Sequence, residues 1–367
     1  MKLNRNNKKT VLIGLSGGVD SSVAALLLKK QGYNVIGAFM KNFSETKNPS
    51  TGQCSWMEER KFAQKIAAQL DIPFITLDFE KEYQKYVIKP MYKSYASGFT
   101  PNPDILCNKV IKFPLLWKKA QSLKADFIAT GHYARIKKTS SGFQLLTGKD
   151  KIKDQSYFLA EISQSDLAHT LFPIGNLTKS KVREIARKNK FPNWDKHGTV
   201  GICFVGKVSI MPFLQKKIKG KLGKVLDPKG NIIGTHPGAV YYTIGQTALP
   251  HIGINIEKPK EYAKKKLYIA EKIKNNLVVV PEGHPLLKKQ VIILKSLHLI
   301  NPNDKIPGQL KARIRHRGQP NPGKLIKKNG KYIFMFKKPV EAIAEGQIAV
   351  LYAKDKVIGS GEIFKTY

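Results

Sequence analysis

The chain has 367 residues, more than one ordinary core holds, so two or three domains are expected, and 42% hydrophobic residues are enough to bury them. Nowhere do about 18 apolar residues run together, and the opening MKLNRNNKKT lacks a leader's apolar stretch; neither membrane insertion nor secretion is expected, and the cytoplasm is the default compartment. Lys and Arg number 64 against 26 Asp and Glu, a formal +38 that attracts polyanions such as phosphodiester backbones, although the lysines are spread as in a compositionally biased genome and charge alone names no partner.

In chain order, Val11 to Leu15 is an apolar run of strand length, Val23 to Lys30 reads as a helix ended by Gly32, and YNVIGAFM reads as a second strand. The corner between the first two is GLSGGVDSS, residues 14 to 22. A helix N-terminus presents unpaired N–H groups and partial positive charge; Gly17 and Gly18 allow close backbone approach, and Ser16, Ser21 and Ser22 add hydroxyls, so the corner reads as an anion site. The common ATPase loop places a lysine after its second glycine, whereas here Val19 and then Asp20 follow. That loss favours chemistry at the α-phosphate with pyrophosphate leaving, and Asp20 suits a Mg²⁺ contact. The plainer reading is a Gly-Gly turn with Asp20 as an N-cap.

Helix and strand alternate again through SWMEERKFAQKIAAQLDIPFITLDF and NKVIKFPLLWKKAQSLKADFIATGHY, which predicts a parallel, doubly wound sheet of at least four strands. Ligands in such sheets bind beyond the carboxyl ends of the strands. Met40 ends the second strand, and Gly131 and His132 end the strand Phe127 to Thr130, so all three are candidate neighbours of a nucleotide at the first turn. A histidine at a strand end is more often a hydrogen-bonding residue than a catalyst.

Three cysteines, Cys54, Cys107 and Cys203, make no disulfide framework in a chain of this size. TPNPDILCNKVIKF sets Asp104 three residues before Cys107, with a helix expected to begin near Asn108 whose dipole favours thiolate. HGTVGICFVG sets Cys203 among glycines and apolar residues in a loop expected to move. Either cysteine alone could be a small buried apolar residue.

These stretches carry a resemblance. SGGVDSS resembles the PP-loop of the ATP pyrophosphatase superfamily, whose members adenylate a carbonyl oxygen and release pyrophosphate. PNPDILCNKVIKF, TGHY, KDQSYFL (Lys153 to Leu159) and GICF together resemble the tRNA-specific 2-thiouridylase (MnmA) family over essentially the whole chain. The resemblance implies adenylation by ATP of the 2-oxygen of the wobble uridine (position 34) in Lys, Glu and Gln tRNAs, with sulfur supplied from a donor protein as a cysteine persulfide. By motif, Cys203 would carry the persulfide, Cys107 would act as nucleophile or resolving thiol, and Asp104 would move protons, with a Cys107–Cys203 disulfide ending a turnover. ATP would meet Gly14, Leu15, Ser16, Gly17, Gly18, Val19, Asp20, Ser21, Met40 and Gly131. The tRNA would meet Asn102, Pro103, Asp104, His132, Lys153, Asp154, Gln155, Arg315, His316 and Gln347. A monomer is expected, and Cys54 has no assigned part.

The fold class expected is α/β, a doubly wound parallel sheet of PP-loop type over residues 1–213, then a small central tRNA-contacting domain over 214–284 and a C-terminal β-barrel-like domain over 285–367. In QLKARIRHRGQ, Lys311, Arg313, Arg315 and Arg317 alternate with Ala312, Ile314 and His316, which predicts one wholly cationic strand face that meets phosphates. The chain departs from the family pattern at Gly198, Thr199 and Val200, where Asp-Ser-Thr is usual, and at Gln246, Thr247, Ala248 and Leu249, where a basic QRKG turn is usual. Rival readings are another PP-loop enzyme such as a tRNA lysidine synthetase, and a tRNA-binding protein without catalysis. An iron–sulfur cluster on Cys107, Cys203 and Asp104 is a third, mechanistic, alternative.

Overall fold

The structure, a computed structural model, describes residues 8–45, 54–196, 210–257 and 260–367. Cys203, with Gly198, Thr199, Val200 and Gly201, lies outside the described residues, so the expected Cys107–Cys203 approach does too.

The first sheet is built on β1 (Thr10–Gly14), β2 (Asn34–Lys41), β3 (Phe74–Asp78) and β4 (Phe127–Ala129), in the order β3-β2-β1-β4, with the short strand Thr170–Leu171 beyond β4. Every pairing is parallel. Both faces are covered, which is why β1 reads as an unbroken apolar run: Leu12 packs with Phe113, Leu116 and Ile128 on one side, while Val11 and Ile13 pack with Val23, Ala24 and Ile66 on the other. Burying each of the Val, Leu, Ile and Phe side chains among them contributes roughly 1.5–3 kcal/mol. The order reverses between β1 and β4, so the crevice at their carboxyl ends is where a ligand fits.

Two helices begin earlier than their sequences predict. Helix α1 (Val19–Lys30) starts four residues before Val23, because Gly18 is its N-cap and the hydroxyls of Ser21 and Ser22 each donate to the Gly18 carbonyl at 3.0 Å, completing a polar first turn. Asp20 is therefore inside the helix and is not its cap. The cysteine helix starts at Pro103, with the Asn102 side chain accepting from Ile105 N at 3.1 Å; it runs through Cys107, widens to a π-helical turn over Asn108–Lys112 and continues over Phe113–Ser122. Its N-terminus thus lies beside Asp104, a turn ahead of Cys107, and not near Asn108.

A second sheet joins Asn255–Ile256, Ile232–His236, Gly223–Leu226, Asn276–Pro281 and Leu267–Ile273. The C-terminal strands form a barrel of six, closed because Lys288–Leu294 pairs with both Lys331–Glu341 and Lys356–Thr366. The hairpin Ala134–Thr139/Gly142–Thr147, which follows β4 in the chain, is hydrogen-bonded to this barrel through Lys356 and Leu146. It draws the segment KDQSYFL against the barrel. Among the described residues no helix is long and apolar enough to cross a membrane.

The cationic strand face is not there. The strand Leu310–Arg313 ends where Arg315 was expected to continue it; Ala312, Arg313 and Ile314 are buried in succession, and only Lys311, Arg315 and Arg317 are exposed. The alternation fails because the chain turns at Arg315, whose carbonyl accepts from Gly318 N at 3.0 Å, and because Arg313 finds a carboxylate inside the protein.

Candidate active site

The corner after β1 is shaped by backbone. Gly17 has φ 78°, the left-handed region, and a Cβ there would lie 2.2 Å from the Glu59 carbonyl of helix α2 (Ser55–Gln69), so no other residue fits. The Ser16 hydroxyl accepts from Gly18 N at 3.4 Å, and Ser21 Oγ accepts from Ser16 N at 3.2 Å. Leu15 N donates to Ala38 O of β2 at 2.8 Å, and buried Asn193 donates its amide to Gly17 O at 2.8 Å and to Ser22 Oγ at 3.0 Å. Gly131, just past β4, presses on the start of α1: a Cβ there would stand 2.6 Å from Ser21 N. Met40 lies against Gly14, its Cε 3.6 Å from where a Gly14 Cβ would be. The structure thus gathers the residues predicted to hold ATP, Gly14 to Ser21 with Met40 and Gly131, around one helix N-terminus.

Asp20 is engaged on both oxygens. Lys179 Nζ lies 2.7 Å from each, and the Tyr133 hydroxyl donates to Oδ1 at 2.6 Å. Burial, then the Asp20 charge, push the Tyr133 hydroxyl far above its usual range, so it stays a donor. Asp20 is the carboxylate expected to meet Mg²⁺, and here Lys179 occupies both of its oxygens. Glu59, against Gly17, is paired with Lys196 at 2.9 Å. Among the described residues no cluster of three or more His, Cys, Asp or Glu stands ready for a metal.

His132 is buried. Its Nδ1 meets Thr130 Oγ1 at 2.7 Å, its ring stacks on Phe113 and meets Phe172 edge-on, and burial, then nearby Lys112, hold its pKa well below the usual imidazole value, so the ring is neutral.

The segments assigned to RNA converge on the cysteine helix. Gln347, in the turn before the strand Ile348–Ala353, donates to the carbonyls of Thr100 and Pro101, both at 3.1 Å, and accepts from Asn102 Nδ2 at 3.4 Å. In the same turn, Glu345 O accepts from Thr100 N at 2.9 Å, and Gly346, at φ 89°, leaves room for the Thr100 backbone. Pro103 opens the helix and Asp104 follows. Asn108 Nδ2 reaches Phe158 O at 3.1 Å, and Phe158 stacks on His316, ring centroids 4.2 Å apart. Burial and the Arg313 charge keep His316 below its usual pKa. Lys153 and Arg315 are exposed, whereas Gln155 is turned inward: Tyr133 N donates to its Oε1 at 3.0 Å. Asp154 is 2% exposed and accepts from Gly148 N, Ser156 N, Ser156 Oγ and, at 2.8 Å, Arg313 Nη1. It is a buried strut between KDQSYFL and the barrel. Cys107 is fully buried, in a cluster with Phe43, Tyr83, Ile111 and Phe213.

Family profiles match three successive stretches: one described as a tRNA methyl transferase HUP domain over residues 9–207, a tRNA methyl transferase PRC-barrel domain over 211–282, and an aminomethyltransferase beta-barrel domain over 289–363. The tRNA-specific 2-thiouridylase MnmA 1 of Geobacillus kaustophilus is 41% identical over 362 residues, covering 97% of this chain and 95% of that protein. The tRNA-specific 2-thiouridylase MnmA of Mycoplasmopsis synoviae is 42% identical over 375 residues, covering 99% and 97%. The chain belongs to the tRNA-specific 2-thiouridylase family. Within this 2-thiouridylase, sequence reasoning missed Lys179, Tyr133 and Asn193, which reach the loop from positions 113 to 176 residues away. One local sign existed. A lysine in the first turn of a helix, as at Lys179, opposes the helix dipole and is tolerated best where a carboxylate waits for it. The departure at Gln246 to Leu249 has become structural: Gln246 Oε1 accepts from Thr243 N at 3.0 Å, and Ala248 is buried.

Proposed function

We propose that this chain is an ATP-dependent tRNA-uridine 2-sulfurtransferase that makes 2-thiouridine at the wobble position. The corner from Gly14 to Ser22, paved by Gly131 at the switch between β1 and β4, carries the reading: it offers helix N–H groups and hydroxyls to phosphates. A methyl transferase, the word in two of the profile descriptions, needs no such corner. The uridine 2-oxygen attacks the α-phosphate, and pyrophosphate leaves with the bonding pair. This converts a poor leaving group into AMP. The terminal sulfur of a persulfide on Cys203 then bonds to C2, and the C2–O bond breaks as AMP departs. Attack of the Cys107 thiolate on Cys203 Sγ releases the sulfur and leaves a Cys107–Cys203 disulfide for a reductant to reset. Asp104, three residues from Cys107 on the same helix, is the nearby proton carrier in this scheme.

Mg²⁺ at Asp20 would neutralise phosphate charge. ATP meets Gly14 to Ser21, Met40 and Gly131; the uridine and its neighbours meet Asn102, Pro103, Asp104 and Gln347, with Lys153 and Arg315 on phosphates. Asp154, His132, His316 and Gln155 act by holding those contacts in place, in keeping with their burial or inward hydrogen bonds. Three domains, bounded near 213 and 284, the Lys, Glu and Gln tRNAs as substrates, a sulfur-carrier protein, a monomer and a cytoplasmic location complete the reading.

The test is mass spectrometry of nucleosides from tRNA incubated with the protein, ATP and a sulfur source. Wild type yields 2-thiouridine, and Cys203→Ser releases pyrophosphate without it. Pyrophosphate release with unmodified uridine in the wild type would instead place the chain with other PP-loop enzymes.

A further inference from the structure

In the proposed reaction sulfur replaces the 2-oxygen of a uridine, yet cytosine carries the same 2-oxygen beside the same ring nitrogen. The reacting atoms therefore do not tell the two bases apart. They differ at N3 and C4: uracil has an N3–H donor beside an O4 acceptor, whereas cytosine has a bare N3 acceptor beside an amino donor. A fixed acceptor facing N3 separates them, while an amide free to turn serves either base.

Asn108 carries such an acceptor. It follows Cys107 directly and is 3% exposed. Its Nδ2 donates to Asp104 O of the preceding turn and to Phe158 O, both at 3.1 Å. Two carbonyls can be met only by the NH₂ end, so the amide cannot turn over and both of its N–H groups are committed. Oδ1 is left buried with no hydrogen-bond partner among the described residues. An acceptor in that state is destabilising, and one that persists in a folded protein points to a water, an ion or a functional use. Its place favours function. Asp104 lies one turn before it, and Phe158 stacks on His316. Lys112, four residues after it, is close enough to His132 to add to the effect of burial on that imidazole. The helix also widens into its π-helical turn at Asn108, an irregularity found frequently at functional sites. Asn108 thus stands between the residues assigned above to the uridine and those assigned to the rest of the tRNA.

We propose that Asn108 is a specificity-determining residue for the target base, its Oδ1 accepting the N3–H of the uracil. Uridine satisfies the buried oxygen. Cytidine brings a second acceptor against it, leaving two buried lone pairs without a proton between them, and a site built on a hydrogen bond rejects the base that lacks the donor more strongly than shape alone does. This rests on the 2-thiouridine reading above and adds the residue that chooses the base.

Two transcripts of one tRNA, with uridine or cytidine at the wobble position, are incubated with the full chain, ATP and a sulfur source, and kcat/KM is read from the 2-thiouridine or 2-thiocytidine formed. Asn108→Ala is expected to lower the uridine-to-cytidine ratio by about tenfold or more, the size of one unsatisfied buried acceptor. A loss of stability acts on both substrates alike and leaves the ratio in place; where a product is too scarce to measure, the ratio of Kd values for the two transcripts replaces it. The wild type supplies a second measurement that needs no variant. A transcript with 3-methyluridine, which has no N3–H, should react about a hundredfold or more slowly than the uridine transcript. A ratio in Asn108→Ala equal to that of wild type, or 3-methyluridine turned over at the uridine rate, overturns the proposal and leaves Asn108 as a brace between its helix and Phe158. A wild type that makes no 2-thiouridine fails the functional reading instead; one that makes it, with the ratio unmoved by Asn108→Ala, fails only this inference.

Discussion

The nucleotide corner takes most of its shape from one unbroken stretch, Gly14 to Ser22, and borrows from elsewhere a charge from Lys179, hydrogen bonds from Asn193 and the close packing of Gly131. The surface assigned to RNA is the reverse: Asn102 and Gln347 touch across 245 positions, and Asp154 and Arg313 across 159. A phosphate site needs a helix start and close backbone approach, both of which local sequence can encode. The surface proposed for RNA is assembled from several domains, and its members hold one another. The corner should therefore tolerate loss of a remote partner as a change in affinity, whereas the assembled surface should answer in stability.

The largest expected effect tests that assembly. Arg313→Met strands the carboxylate of Asp154, which is 2% exposed, and losing one partner of a buried ion pair costs about 3–5 kcal/mol, read as a lower urea midpoint. Arg313→Met/Asp154→Leu removes both charges and should recover most of it. An unchanged midpoint in the single variant would show that the two domains are not joined there, and the contrast would fail.

Arg315 gives the next effect and separates exposed cations from buried ones. Replaced by Gln, it should leave stability unaltered and reduce the slope of log K for tRNA against log salt by about one unit, one phosphate contact. The neighbouring Arg313, being buried, contributes nothing to that slope through direct contact. A slope unchanged in Arg315→Gln would return that side chain to plain solvent exposure.

The smallest effect concerns Lys272, which ties the central sheet to the segment ahead of Asn102 by donating to Gly98 O at 3.2 Å. Burial lowers its pKa to about 8, and Glu345 opposes the shift only in part. In this depressed-pKa case the unfolded chain binds the extra proton between about pH 8 and 10.5, so the contribution is fully present above the unfolded value and is lost as pH falls through about 8. The stability of wild type relative to Lys272→Gln should thus rise across that window. A flat difference would mean that the amine is solvated and that the tie is loose.

Part of this was legible in the residues. GLSGGVDSS between two apolar runs announced a strand, an anion corner and a helix, because hydrophobic period and glycine freedom act over a few neighbouring residues. PDILC and KDQSYFL marked their segments as unusual, and the family resemblance attached roles to them. The pattern misled where a partner lay far away. Arg313 alternates with apolar neighbours as a solvent-facing residue would, yet it is buried, since a charge goes inside when a carboxylate is there to meet it. Cys107 reads as a helix-start thiol, but the cap at Asn102 moved that start a turn earlier.

The sequence by itself determined the order of elements, the glycine turn at Gly17 and Gly18 and the absence of a lysine in the loop, all of which follow from local sterics and composition. Only the tertiary structure decided which cation faces Asp20, that Asp154 and Gln155 are turned inward, and that Gln347 holds the backbone ahead of Asn102. Those contacts join residues more than 20 positions apart, where side-chain charge and hydrogen-bonding capacity are visible in the chain but the distance between them is set by how three sheets pack.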